Sequence, residues 1–281
     1  MKFGVFGINV GVCADAEVGA RVARRAEELG YESVWTGEHV VLPAPQAPPS
    51  PVPPETPFLD PAISLAFIAA RTSTIKLGTG IIILPQRNPC VLAKELASVD
   101  VVSGGRLIFG LGVGYLKAEF DALGIPFTRK GPRTDDYLQA MLALWTQENP
   151  QHSGEFASFE GIQALPQPLQ KPHPPVVVGG HSPHGLRRAV ASGNGWYGFA
   201  MTPEQTAESL EGIEEAKQQV ERPSSLGDLE ITITPSGAVD ADVVKRYENL
   251  GVDRLVFLTF AADGDGTVGV IEETAKAIGL N

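Results

Sequence analysis

Four short stretches of this chain carry residue types that can do chemistry. The first is Gly37-Glu38-His39, directly after the apolar run SVWT. An acid beside an imidazole suits general acid–base work, because histidine changes charge near neutral pH and a carboxylate can orient it. A capping Glu beside a packed His is the plain alternative. The second is PPVVVGGHSPHGLRRA, Pro174 to Ala189, where three valines run into two glycines and then a basic, helix-patterned segment. A helix start offers unpaired N–H groups and the positive end of its dipole, so such a corner can seat an anion. Gly179, Gly180 and Ser182 offer N–H groups, Ser182 adds a hydroxyl, and Arg187 or Arg188 adds charge. It is not a P-loop, since no Gly-Lys-Ser/Thr is present. His181 and His184 are separated by Pro183 and have no neighbouring carboxylate, so no metal is expected there.

The third stretch is LGTGIIILPQRNP, Leu77 to Pro89. Gly78 and Gly80 flank Thr79 inside a β-branched run. Glycine in a strand marks a bulge, a close approach by another group, or a barrel interior too tight for a side chain. Arg87, just beyond, caps a helix or meets an anion. The fourth is GLGVGYLKAEF, with Gly110, Gly112 and Gly114 spaced GxGxG. The dinucleotide fingerprint is GxGxxG with an acid after the next strand, and neither feature is here.

The elements that must position these loops alternate in type. FGVFGI, SVWTGE, IKLGTGIIIL, RLIFGLGVG, PVVVGG, GWYGFA, LEITITPSG and RLVFLTF read as strands, most of them followed by a helical pattern. Val18, Val22, Ala26 and Leu29 fall on one helical face, and Asp60-Pro61 reads as an N-cap and first turn of a helix reaching about Arg71. The count and alternation predict one (β/α)8 TIM barrel over residues 1–281, with chemistry in the loops after the strands. LGYESVW and LGVDRLVF share one plan, a helix end, a left-handed Gly, an apolar residue, an acid and a strand, and ASGNGWYGF repeats it loosely. Two stretches break the rhythm. Pro43 to Pro57 is too Pro-dense for a helix and reads as a stiff loop or a wall on the active face. Gln151 to Pro175 reads as a short hairpin followed by an extended segment packing across the barrel mouth.

Composition narrows the function classes. The net charge of -11 argues against nucleic acid or an anionic membrane surface as partner. Cys13 and Cys90 lack metal or redox spacing and read as packed thiols in a reducing compartment. MKFGVFGINVGV is a poor signal peptide and a good first strand, so a cytoplasmic location is expected. No apolar run reaches membrane-spanning length.

Taken together, the four loops resemble the luciferase-like monooxygenase superfamily, and more closely its F420-dependent oxidoreductases. The resemblance runs through MKFGVF, AEELGYESVWTGEHVVLP, LGTGIIILPQRNPCVLAKELASVDVVSGGRLIFGLGVGYLKAEFDALG, RTDDYLQAMLALW, PPVVVGGHSPHGLRRAVASGNGWY and LGVDRLVF, nearly the whole chain. It implies a cofactor at the C-terminal mouth of a (β/α)8 barrel, with Glu38 and His39 bordering the redox ring. It places a cis Gly80–Ile81 bond in the Thr79-Gly80-Ile81 bulge behind the ring. It assigns Gly112 and Gly114 to the cofactor's surroundings, and Gly179, Gly180, His181 and Ser182 to its phosphate.

The implied cofactor is coenzyme F420, with FMN the alternative. The implied reaction is hydride transfer to or from a small organic substrate, or monooxygenation with reduced flavin. A homodimer through helices near the early strands is also implied. A non-catalytic barrel is disfavoured by the retained Glu38, His39 and glycine loops. Three departures stand out. Asn194 replaces the Asp usual before Gly-Trp. Val40 stands where flavin-dependent relatives often carry a second His. Lys117 replaces a carboxylate of sugar-phosphate-using relatives, with Glu119 two places on.

Overall fold

Each apolar run that predicts a strand forms one, and the strands pair in parallel until they close on themselves. The computed structural model describes residues 1–280. In chain order the strands are β1 (Lys2–Phe6), β2 (Ser33–Thr36), β3 (Lys76–Thr79) and its short continuation β4 (Ile82–Ile83), then β5 (Leu107–Gly112). The pair β6 (His152–Ser153) and β7 (Ser158–Phe159) is followed by β8 (Val176–Gly179), β9 (Gly195–Met201), β10 (Glu230–Pro235) and β11 (Arg254–Leu258). The pairing order β3-β2-β1-β11-β10-β9-β8-β5 is closed by β3 pairing with β5, Leu77 opposite Leu107. This is the (β/α)8 barrel, with all eight expected barrel strands present.

The alternation of strand side chains divides the core in two. Phe6, Trp35, Ile108, Val177, Tyr197 and Val256 fill the barrel interior. Their neighbours Val5, Val34, Phe109, Val178, Leu255 and Phe257 point outward into the larger core under the helices. Both faces are thus covered, which is why β2, β5 and β8 are buried along their whole length.

The helices are α1 (Ala16–Glu28), α2 (Pro61–Ala69), α3 (Pro89–Val102), α4 (Lys117–Ala122) and α5 (Lys130–Thr146). They continue as α6 (Pro183–Ser192), α7 (Pro203–Gln219), α8 (Ala241–Asn249) and α9 (Gly264–Ile278). Asp60 caps α2, accepting from the Ala62 and Ile63 N–H groups, and Pro61 is its first residue, as the sequence predicts. Of the expected α1 face, Val22 and Ala26 are fully buried, while Val18 and Leu29 are half-buried against the same core. Gly30 and Gly251 take the same φ of 83°, the left-handed turn that ends a helix ahead of β2 and β11. The looser third copy differs, since Gly193 has φ -100°. Asn194 next to it accepts from the Val176 N–H at 2.9 Å, below β9, so that departure touches the barrel's base and not its mouth. The base is closed by Arg254, buried against Trp35 and paired with Glu32 and Glu230.

The two irregular segments behave differently. Pro43 to Pro57 leaves β2 on the C-terminal face, as expected, and is tied down at its end by the Gly11 N–H to Pro57 carbonyl bond of 2.9 Å. The hairpin β6–β7 is also present and antiparallel. The expectation that its segment crosses the mouth is corrected. Asp136 on α5 takes His152 Nε2 at 2.7 Å and the Phe156 and Ala157 N–H groups, holding the hairpin to the outside of the barrel. Gln163 and Gln167 then donate to the Glu148 and Gln147 carbonyls just past α5, and Gln170 reaches Asp100 on α3 and the Leu107 carbonyl. Acceptors on α3, α5 and the residues just after α5, which the linear sequence does not order in space, decide that course. Among the described residues no helix is long and apolar enough to cross a membrane.

Candidate active site

The site begins with Asn9, in the loop after β1. Its fully buried side chain donates to the Gly37 carbonyl at 2.9 Å and the Leu59 carbonyl at 2.6 Å, and accepts from the Gly37 N–H at 2.8 Å. Three bonds from one amide fix the chain at the point where Glu38 and His39 leave β2. From there the two side chains diverge.

Glu38 turns into the protein. Its carboxylate accepts from the Ile83 N–H and pairs with Arg87, which also pairs with Asp60 at 2.9 Å. Burial pushes the carboxyl above its ordinary value, with Arg87 and the Ile83 N–H pulling the other way. The expectation that Glu38 tunes His39 from within the site is therefore corrected. Glu38 is a buttress that ties the β2 loop to β4 and the segment that follows it. Arg87 is its partner, so it is not held out to an anion.

His39 is turned instead to α4. Its Nδ1 lies 3.4 Å from Glu119 Oε2 and its Nε2 lies 3.3 Å from the Tyr115 hydroxyl. The rings of Phe58 and Tyr115 meet the imidazole edge-on at 5.4 and 6.0 Å. Glu119 is fully buried, and its other oxygen accepts from the Val40 N–H at 2.6 Å. Burial opposes ionisation of Glu119, but the contacts with His39 and Val40 prevail and hold it below the usual carboxylate range. Burial and the nearby Glu119 charge push the Tyr115 hydroxyl up, so it stays a neutral donor. An N–H on Nδ1 directed at a carboxylate leaves Nε2 to accept or return a proton.

The β3 stretch makes the floor. The Gly80–Ile81 peptide is cis. Thr79 is fully buried, and its hydroxyl bridges β3 to β5, donating to the Gly110 carbonyl at 2.7 Å and accepting from the Gly110 N–H at 2.8 Å. That side chain is spent within the barrel wall, which corrects its placement at the cofactor. The Ile81 side chain lies across Gly112 and Gly179, where an added Cβ would stand 2.2 and 2.6 Å from its terminal carbon. Gly114, with φ 72°, turns the chain past Ile83 and Phe120. Gly112, Gly114 and Gly179 are thus explained by packing. Beside the bulge, the Phe6 ring has Phe199 at 5.1 Å and Phe260 at 6.3 Å.

The corner after β8 is exposed from Gly180 to His184. Gly180 has φ 119°, and nothing stands within 4 Å of where a Cβ would be. Ser182 caps α6, accepting from the Gly185 N–H at 3.2 Å. His181 Nε2 accepts from the Phe199 N–H at 3.2 Å, which needs that nitrogen free of a proton, and partial desolvation of the ring lowers its pKa, so the ring is neutral. Among the described residues the His181 and Ser182 N–H groups have no protein partner. The expected charge from Arg187 or Arg188 is not supplied. Arg187 bonds Gln219 and His184 on the outer face, and Arg188 pairs with Asp135. The corner is thus a neutral donor cradle at a helix start, which fits an anion.

Sequence reasoning missed Asn9 and did not assign Tyr115 or Glu119 to His39. Both of the latter stand in GLGVGYLKAEF, a stretch read for its glycines.

The family model for luciferase-like monooxygenases matches residues 1–275. An uncharacterised protein of Mycobacterium tuberculosis is 30% identical over 273 residues, covering 92% of this chain and 93% of its own. The oxygenase component of the flavin-dependent trigonelline monooxygenase of Acinetobacter baylyi is 30% identical over 235 residues, 80% of this chain and 61% of that protein. Among solved structures, monooxygenase RslO1 from Streptomyces bottropensis has a TM-score of 0.79 at 23% identity, covering 99% of this chain and 98% of that one. An F420-dependent secondary alcohol dehydrogenase, in complex with an F420–acetone adduct, has a TM-score of 0.80 at 15% identity, again covering 99% and 98%. At these identities the two structures speak to the fold alone.

Proposed function

The chain belongs to the luciferase-like monooxygenase family, and from that premise we propose that it is an F420-dependent oxidoreductase acting on a small organic substrate. The observation that carries this reading is His39, held between the buried Glu119 carboxylate and the Tyr115 hydroxyl at the C-terminal mouth. A redox reaction by hydride transfer leaves one proton to be handled on the substrate, and a positioned imidazole is suited to that task.

The deazaflavin, when bound, supplies the hydride chemistry. The protein's share is binding, orientation and the proton. The exposed corner Gly180-His181-Ser182 and the start of α6 would hold the phosphate, and the wall of Ile81 over Gly112 and Gly179 would back the ring. His39 Nε2 takes or returns the substrate proton, directly or through Tyr115, and Glu119 holds the Nδ1 side of the ring. The fixed loop at Asn9 keeps the imidazole in place while its charge changes.

A second reading is an FMN-dependent monooxygenase, favoured by the 30% identity to the trigonelline enzyme. Titrating F420 and FMN separately into the pure protein, followed by absorbance and fluorescence, tests both. F420 binding at least about tenfold tighter than FMN, about 1.4 kcal/mol, supports the first reading. The reverse order supports the second. Failure of both to bind removes both.

A further inference from the structure

We propose that Gln86 is a positioning residue of this site: its side-chain amide donates to Glu119 and fixes the carboxylate that holds His39. The proposal rests on the functional reading above and adds a third member behind its proton-handling pair.

The first observation is an unmet demand. Glu119 is fully buried, and a buried carboxylate stays ionised only where donors replace its lost water. Its two oxygens have room for about four donors. Oε1 takes the Val40 N–H at 2.6 Å and the Val41 N–H at 3.4 Å. Oε2 has the His39 contact, itself long at 3.4 Å. The Oε2 side is therefore the one short of donors.

The second observation is an unused donor beside it. Gln86 ends the single turn Leu84–Gln86 that follows β4. Because β4 pairs with β5, Ile83 opposite Gly112, this turn stands at the root of the loop leading to α4. Gln86 is 7% exposed. Its side chain meets the Glu119 carboxylate and, with His39 and Val40, opposes the effect of burial there. Yet among the described residues neither Nε2 nor Oε1 has a partner in a well-formed hydrogen bond. A buried amide without partners costs free energy, so one that is kept calls for a reason. The other buried orphans are the Thr36 hydroxyl and Arg87 Nε. Those belong to the Glu38 side, since Thr36 shares a strand face with Glu38 and Arg87 pairs with it. Gln86 and Arg87, adjacent in the chain, thus serve one buried carboxylate each.

Catalytic hydrogen bonds are often long until substrate closes on them, and both the open amide and the 3.4 Å contact have that character. An amide N–H also donates whatever the charge of its neighbours. It steadies Glu119 whether the imidazole has gained or lost its proton.

The test uses Gln86→Met, which keeps the length of the side chain and removes both polar atoms. Were the amide idle, its loss would leave stability equal or higher. The expected result is a lower denaturant midpoint at pH 7, with the loss at least about halved in a Glu119→Gln background. The carbon-13 signal of the Glu119 carboxyl should titrate at higher pH in Gln86→Met than in the parent, towards the ordinary value near 4.5. Nitrogen-15 spectra of His39 should show a smaller share of the Nδ1–H tautomer, a signature that lost packing alone would not move. In the parent, the Gln86 side-chain N–H signals should follow the Glu119 titration, which decides the matter without a variant if Gln86→Met does not fold. A variant as stable as the parent overturns the proposal, as does a loss unchanged by Glu119→Gln. So does a Glu119 titration or a His39 tautomer indifferent to Gln86→Met, or parent N–H signals that ignore the titration. None of these readouts needs a cofactor. Failure of F420 and FMN to bind would remove the oxidoreductase reading with this coupling intact, and cofactor binding without the coupling would do the opposite.

Discussion

His39 and Glu119 stand 80 residues apart in the chain, and the imidazole Nδ1 meets the carboxylate Oε2 at 3.4 Å. The contact joins the loop after β2 to α4 behind β5, across the intervening strand β3. Because Glu119 also takes the Val40 N–H at 2.6 Å, one buried carboxylate sets both the backbone that carries the imidazole and the direction of its ring.

His39→Ala should cost turnover more than cofactor affinity. A general acid–base group contributes about a hundredfold to ten-thousandfold. Loss of a proton transfer is felt in the transition state, so kcat and kcat/KM should fall together. The pH profile of the variant should lack a limb present in the parent. A retained limb with a raised KM or cofactor Kd would make His39 a binding group.

Glu119→Gln keeps an acceptor for Val40 but removes the charge. Folding holds the Glu119 carboxyl below its ordinary value near 4.5, so its stabilisation is present above that value and lost as pH falls through the folded one. The variant should therefore be less stable at neutral pH by about 2 kcal/mol, the scale of a hydrogen bond to a charged group. The gap should narrow in acid. Denaturant midpoints measured from pH 7 to pH 3 check this, and a constant gap would mean the charge is not what matters. Turnover should fall with little change in KM.

The fold was legible because its signals are local. Alternation from Val34 to Trp35, the Asp60-Pro61 cap, and glycines at Gly30 and Gly251 each act within a few residues. The site was half legible. His39 and the corner at Gly180 could be named because a strand end followed by an acid–base residue or a glycine pair is itself local. Their partners could not. Adjacency suggested Glu38 as the group behind His39, but successive side chains leaving a strand point opposite ways, and that alternation sends Glu38 to Arg87. Arg188 misled for a similar reason. Its position on α6 points it at Asp135 on the neighbouring helix and away from the corner.

Thr79→Val separates a structural role from a cofactor role. The hydroxyl both donates to and accepts from Gly110, and valine would leave that N–H and carbonyl buried without partners. A loss of about 1–3 kcal/mol in stability is expected. Cofactor affinity in the folded variant should stay within about threefold of the parent, a difference of about 0.7 kcal/mol. A large affinity loss with unchanged stability would return Thr79 to the cofactor's surroundings.

Gly180→Asp tests the corner, and it needs Gly180→Ala beside it. At φ 119° any side chain strains the backbone, at a cost of about 1–3 kcal/mol, although open space surrounds the missing Cβ. Both variants should therefore lose some stability, to a similar extent. Only the aspartate adds a negative charge beside the free N–H groups of His181 and Ser182 and the start of α6. No basic side chain is present to offset it, since Arg187 and Arg188 are engaged elsewhere and His181 is neutral. Repulsion of a bound phosphate should then raise the cofactor Kd of the aspartate variant at least about tenfold above that of the alanine variant, about 1.4 kcal/mol. The difference should shrink with added salt, because the corner is exposed and its charges are screened. Measured Kd values that rise equally in both variants would reduce the effect to backbone strain. Values equal to the parent in both would take the phosphate away from this corner altogether.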